Sequence, residues 1–397
     1  MNKGFFSLFI IAIITIFLAN CENDYPASLW NESEISKPFP IIDEIIPHDS
    51  TYAGVGEIVI KGHNFSITPE ENLVFVGNKS ADVIAASEAQ ITIKSPNIVG
   101  DSLKIKIAVH GAELFSDPVY YKLKPAVAIV GNLAEKNEMA YAIAVDKIGN
   151  VYVSIDGKII KKISTDGATT HYADVGFLKA NGMKMGPGNT IYVAFAAGRV
   201  KKIATITPDG VEGTFTNLPG VPQDLDFDAN GNIWVSCDKD IYLIKPDQTT
   251  TKITSFSITL YTVRVFNGNL YISGRDENTG EAKIWRSQLL GETLGTAEEV
   301  LDITAASWLS GATVYSFTFS EDGKMYLTTD FEDAIFIFNP EDGSHDILFP
   351  GLIGPRIYAL SWGEGNFLFA IQQLNSASNV LKIDLGMRGA PYYGRIP

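Results

Sequence analysis

Apolar and polar residues alternate through two short runs in the segment PQDLDFDANGNIWVSC, residues 222–237. Leu225 and Phe227 lead into Asp228-Ala229-Asn230-Gly231-Asn232, and Ile233, Trp234 and Val235 lead out. Period-two alternation on both sides of such a turn predicts a β-hairpin, with Asn-Gly expected to supply positive φ angles. Five further copies follow the same pattern: YAIAVDKIGNVYVS from Tyr141, NGMKMGPGNTIYVA from Asn181, YTVRVFNGNLYIS from Tyr261, YSFTFSEDGKMYLT from Tyr315 and YALSWGEGNFLFA from Tyr358. Measured at the residue opening each second strand (Val151, Ile191, Ile233, Leu270, Met325, Phe367), the steps are 40, 42, 37, 55 and 42 residues. Repeats near forty residues, each holding several short strands, predict a propeller, and six copies predict six blades. In the first copy the strands are expected at 141–145, 151–154 and 158–163, with a weaker fourth at 170–174. The apolar run 127–130 is expected to complete the last blade as an outer strand, closing the ring and removing open sheet edges.

Ahead of the propeller, residues 40–123 show alternating strands at 57–61, 72–76, 90–94, 103–109 and 118–122, separated by Gly, Asn, Asp and Pro at sandwich-like intervals. Long helical periodicity is almost absent after residue 21, while Tyr, Phe, Val, Ile and Thr are plentiful. The expected fold is therefore all-β: an immunoglobulin-like β-sandwich followed by a six-bladed β-propeller over 125–397, with residues 387–397 a tail expected to pack over the propeller or against the sandwich. Ile45-Ile46-Pro47, then Gly54, Gly56 and IVIKGHNF (58–65), resemble the IPT/TIG domain. The resemblance implies that the Pro begins the first strand, that Gly-x-x-Phe closes a turn, and that the domain is a spacer or contact module. His63 and His110 are isolated and lack metal-ligand spacing.

Residues 1–20 carry Lys3 and a fourteen-residue apolar run, 5–18, the length of a signal-peptide core and too short for an ordinary membrane span. Leu18-Ala19-Asn20-Cys21 resembles the lipobox of bacterial lipoproteins, with Asn20 departing from the usual Gly or Ala. The resemblance implies acylation of Cys21 and a membrane anchor. Glu22 and Asp24 resemble the surface-export signal of Bacteroidetes lipoproteins, which implies an outer-membrane, surface-exposed location. Residues 21–39 contain Pro26 and Pro38 without periodicity and read as a tether.

With 46% apolar and 19% charged residues the chain is neither disordered nor collagen-like. Its net charge is -15, and because only Lys3 is charged in the first twenty residues, the remainder carries -16. Such a chain, without basic clusters, is no candidate for nucleic acid or anionic lipid headgroups. Cys237, at a strand end with no His nearby, reads as a small buried apolar residue.

Propeller topology places the start of each inner strand at one mouth of the central channel. The residues there are Tyr141, Asn181, Gln223, Tyr261, Tyr315 and Tyr358. Four phenols and two amides combine flat apolar faces with hydrogen-bonding tips, the mixture that sugars require. The alternative for each tyrosine is packing against the neighbouring blade. The 55-residue step adds residues before Tyr315, with Trp308 expected on a mouth-side loop as a lid anchor or ligand platform. Arg275, Asp330 and Arg356 are expected beside the same mouth, since binding residues concentrate on loops held by a rigid scaffold. Lys184, Asp226 and Arg264 occupy one aligned inner-strand position in blades two to four, with Asp224 nearer the mouth. They are expected to pair, because a lone buried charge costs several kcal/mol.

The string "apolar-Asp-x-x-Gly-Asn-apolar-Tyr-Val" resembles NHL-type and gluconolactonase-like propellers. The gluconolactonase resemblance implies a divalent metal held by Glu, Asn and Asp from separate blades. Here Asn181, Asp224 and Asp226 are the only inner-strand candidates, and no inner strand carries Glu. No Gly-x-Ser-x-Gly elbow, Cys/His pair, phosphate loop or HExxH element is present. No catalytic residue, metal or cofactor is expected. The function expected is capture of a glycan or similar polar ligand by a lipid-anchored envelope protein serving nutrient uptake, beside an outer-membrane transporter. The alternatives are a metal-dependent lactonase and a protein–protein scaffold.

Overall fold

The computed structural model describes residues 36–395; the signal segment, Cys21 and most of the tether lie outside the described residues. Among the described residues the regular elements are β-strands and short 3-10 helices, from Ile41 onward. The first unit is a single eight-stranded sheet folded into a sandwich, whose core holds fully buried Ile58, Ile60, Ile91, Ile93, Ile105 and Ile107. Alternation is plain in Glu57–His63, where Ile58, Ile60 and Gly62 point inward. Gly62 is required there, since a β-carbon would stand 1.9 Å from the carbonyl oxygen of Ile41. Asn64 (φ 63°) makes the Gly-x-x-Phe turn that delivers buried Phe65 to the core. One expectation is corrected: Pro47 follows the first strand, Ile41–Ile46, rather than beginning it, and its carbonyl accepts the Tyr121 hydroxyl at 2.8 Å.

Six sheets of four or five strands then follow radially, their inner strands Ala140–Val145, Gly182–Met185, Pro222–Phe227, Thr259–Phe266, Ser316–Phe319 and Ile357–Trp362 adjacent around one axis. Val127–Val130 pairs antiparallel with Ser378–Asp384, so the start of the domain supplies the outer strand of the sixth blade. This closure ties the two ends of the ring together. Six apolar clusters account for the propeller core, one at each junction between neighbouring blades. Burial is thus distributed around the ring, and no blade has a core of its own.

The recurrent Asp explains the hairpin turns. Asp228 accepts the backbone N–H groups of Asn230 and Asn232, the Asn232 amide at 2.9 Å and the Trp234 indole N–H at 3.0 Å. Asp146 does the same for Ile148, Gly149, Asn150 and the Tyr152 hydroxyl. In the Asp228 turn only Gly231 (φ 77°) is left-handed, which corrects the expectation for Asn230: the carboxylate, rather than an Asn-Gly pair, organises the loop. The two-residue Asn-Gly turn occurs instead at Asn267 and Gly268, φ 46° and 73°. The long step before blade five has two sources. Strand Ala282–Leu290 runs on to pair with Thr293–Leu294, and the loop after Asp302 carries a 3-10 turn, Ser307–Leu309.

The sandwich meets the propeller beside this closure. Lys124 sits 4.0 Å from the Tyr52 ring centre and 3.6 Å from Asp384, and Tyr52 approaches Phe349.

Candidate functional site at the propeller mouth

Four of the six inner strands are irregular where they open the channel. The register slips between Ala140 and Ala142, Pro222 and Asp224, Leu260 and Val263, and Ile357 and Ala359. The residues inside these bulges include Tyr141, Gln223, Tyr261 and Tyr358. A bulge re-aims a side chain that regular pleating would send into the sheet. Buried hydroxyls then hold the loosened backbone. Ser236 accepts the Asp224 N–H and donates to the Tyr261 carbonyl at 2.6 Å, Ser273 accepts Thr262 N–H, and Thr328 accepts Ser316 N–H. These hydroxyls, together with Ser154, which accepts Ala180 N–H, lie three residues after Val151, Ile233, Leu270 and Met325 and are visible in sequence as YVS, WVS, YIS and YLT, a signal not used above.

The six mouth residues, with Arg275, line one cavity of about 520 Å³. All seven are partly accessible. Tyr315 and Tyr358 lie with ring centres 5.4 Å apart, and Lys179 sits over Tyr141 at 5.6 Å. The Tyr141, Tyr315 and Tyr358 hydroxyls and the Gln223 amide have no hydrogen-bond partner among the described residues. Burial pushes all three phenols up, helped by Asp156 at Tyr141 and Asp330 at Tyr315, so they stay protonated donors. Two members are already engaged: Asn181 donates to the Pro222 carbonyl at 2.8 Å, and the Tyr261 hydroxyl donates to Glu277. Burial first, then Glu277, pushes the Tyr261 phenol up to about 12. Glu277 was not foreseen, although it lies two residues beyond Arg275 on the same mouth loop.

Three predicted residues are placed elsewhere. Trp308 does not line the cavity; it turns outward and stacks on His345, ring centres 4.5 Å apart, and on Phe338 at 5.9 Å. Its loop still reaches the mouth, where Leu309, Ala312 and Thr313 form the wall. Asp330 supports that wall by accepting Thr313 N–H at 2.8 Å. Arg356 is exposed on the approach to Tyr358, with φ at 60°.

Deeper in the channel the charges pair as their alignment predicts. Arg264 donates to Asp224, to the Val263 carbonyl and to Ser316, and Lys184 stands 3.9 Å from Asp226. Asp226 accepts Val265 N–H at 2.8 Å, while desolvation holds its pKa above the ordinary carboxylate value against the pull of Lys184 and Arg264. Below this layer the tail seals the far end: the Tyr392 hydroxyl donates to the Met185 carbonyl at 2.7 Å, and Ala390 and Pro391 cover the floor. The channel is a blind cup.

This donor set does not fit a resident metal. Asp224 is occupied by a guanidinium, an ammonium and a guanidinium face Asp226, and no three His, Cys, Asp or Glu side chains converge among the described residues. Cys237 is buried beside Gly220, its thiol pushed up to about 11 by desolvation. His171 and His345 lie on outer strands.

Comparison with known proteins supports the architecture. Residues 40–123 match the IPT/TIG domain model. STRICTOSIDINE SYNTHASE-LIKE 4 of Arabidopsis thaliana is 24% identical over 272 residues, covering 58% of this chain and 72% of that protein. An auxiliary nutrient binding protein from Bacteroides thetaiotaomicron superposes with a TM-score of 0.52 at 13% identity, over 87% of this chain and 97% of that one. A gluconolactonase from Xanthomonas campestris gives 0.51 at 12% identity, over 72% and 90%. At these identities the likeness is one of fold, which hosts many functions.

Proposed function

We propose that this protein captures a glycan or similar polar ligand in the propeller cup. It does so as a lipid-anchored, surface-exposed accessory to nutrient uptake, held by Cys21 and working beside an outer-membrane transporter. The observation that carries the binding role is the set of polar groups at the mouth that the described residues leave unpaired: three phenol hydroxyls and the Gln223 amide, set around a cavity of about 520 Å³. These groups are open to solvent, so a ligand hydroxyl can take the place of their water without breaking a bond within the protein, while the phenol faces accept sugar C–H groups. The cavity volume lies in the range of small-ligand sites. The Bacteroides auxiliary nutrient binding protein of the same fold is consistent with the uptake role. The Leu-Ala-Asn-Cys segment supports the anchor.

A glycan-array screen of the full-length chain in detergent tests the reading. Binding by the wild type that disappears in Tyr315→Ala/Tyr358→Ala, with melting still cooperative, is the expected result. An array on which the folded wild type binds nothing would remove the glycan from the account. Stoichiometric calcium or zinc, lost in Asp226→Ala, would instead favour a metal-dependent lactonase.

A further inference from the structure

Two arginines line the cup, and they differ in one respect. Arg264 is ion-paired at the floor: its Nη groups donate to Asp224, Ser316 and the Val263 carbonyl, although its Nε is buried without a partner. Arg275, the last residue of strand Asn269–Arg275, has no ion pair and no side-chain hydrogen bond among the described residues, and its Nε is buried without a partner. Of the two acids that follow it, Asp276 accepts the backbone N–H groups of Asn278 and Thr279, and Glu277, which lines the cavity, is held by the Tyr261 hydroxyl. The Gly280 backbone lies alongside the guanidinium: a β-carbon there would stand 3.9 Å from Arg275 Nη2.

A guanidinium partly withdrawn from water without a counterion is costly, and it keeps its charge at every working pH. Its planar fork matches a carboxylate through two parallel N–H···O bonds. A chain of net charge -15 repels an anion at long range, so any preference for one must come from contact inside the cup rather than from steering.

We propose that the cup selects sugars bearing a carboxylate, and that Arg275 is the residue that reads it. This rests on the glycan-binding reading above and narrows it to acidic saccharides. The ring of the sugar stacks at the Tyr315–Tyr358 side while its carboxylate faces the blade-four wall.

The test uses the full-length chain in detergent and calorimetric titration with an oligogalacturonate and a sialylated oligosaccharide, each beside its own methyl ester. At least one acid is expected to bind about tenfold or more tightly than its ester, and which acid does so identifies the source of the carboxylate. Arg275→Gln is expected to bring that acid down to the level of its ester, with Arg275→Lys falling between. Because Arg275 holds no protein partner, Arg275→Gln is expected to melt at or above the wild-type temperature; a sharp fall would mark the residue as structural and overturn the assignment. Esters bound as tightly as acids would overturn carboxylate selection while leaving glycan binding in place. No binding by any of the four, together with a blank array, would overturn both.

Discussion

The two ends of the same channel are built from similar residue types and put to opposite use. At the floor, Arg264, Asp224, Lys184 and Asp226 are buried and turned toward one another, and the tail closes over them. At the mouth, Arg275, Gln223 and three tyrosines are half-exposed and turned toward a space the protein leaves open. Burial alone does not separate structural from binding residues here. What separates them is whether the protein itself supplies the partner.

Breaking the floor should cost most. Arg264→Ala leaves Asp224 buried and alone, and a loss of about 3–5 kcal/mol in unfolding free energy is expected by urea titration. Asp228→Ala, which strands the Trp234 indole and the turn amides of blade three, should cost about 2–3 kcal/mol in the same measurement. At the mouth, Tyr315→Phe removes one unpartnered hydroxyl. Ligand affinity should fall about fivefold, near 1 kcal/mol, with the melting temperature unchanged. The smallest effect sharpens the comparison from within the floor. The pKa of Asp226 is raised by desolvation, so the folded state holds its proton more tightly than the unfolded state. That penalty is absent below the ordinary carboxyl value of 3.8 and grows as pH rises toward the raised value. Asp226→Asn should therefore match or exceed wild-type stability at neutral pH, and the difference should shrink as pH is lowered toward 4.

Much of this was legible in the chain because a propeller repeats one solution. Six hairpins in register fix where each inner strand begins, so the mouth set could be read by alignment, as could the pairing of Lys184, Asp226 and Arg264. What escaped depends on direction rather than position. Trp308 lies on the foreseen loop, yet apolar neighbours Phe336, Phe338 and the His345 face draw it outward. Whether Arg275 has a partner depends on where Glu277 turns, and no spacing encodes that. In the sandwich, strand Lys79–Ser87 was missed because a register shift between Val83 and Ala85 breaks its alternation and most of it is exposed. Strand Ile41–Ile46, sequence IIDEII, also lacks a clean period of two. The tail was expected to pack over the propeller or against the sandwich, and it packs over the propeller; its aperiodic sequence does not say that Tyr392 caps the channel.

A crystal structure of the full-length chain with the tightest-binding saccharide from the array is the most direct test. Density for the sugar inside the cup, stacked at Tyr315 and Tyr358 and within hydrogen-bond distance of Gln223, is the result expected. Density outside the cup, for instance in the opposite-face groove lined by Phe266 and Tyr393, would contradict the account.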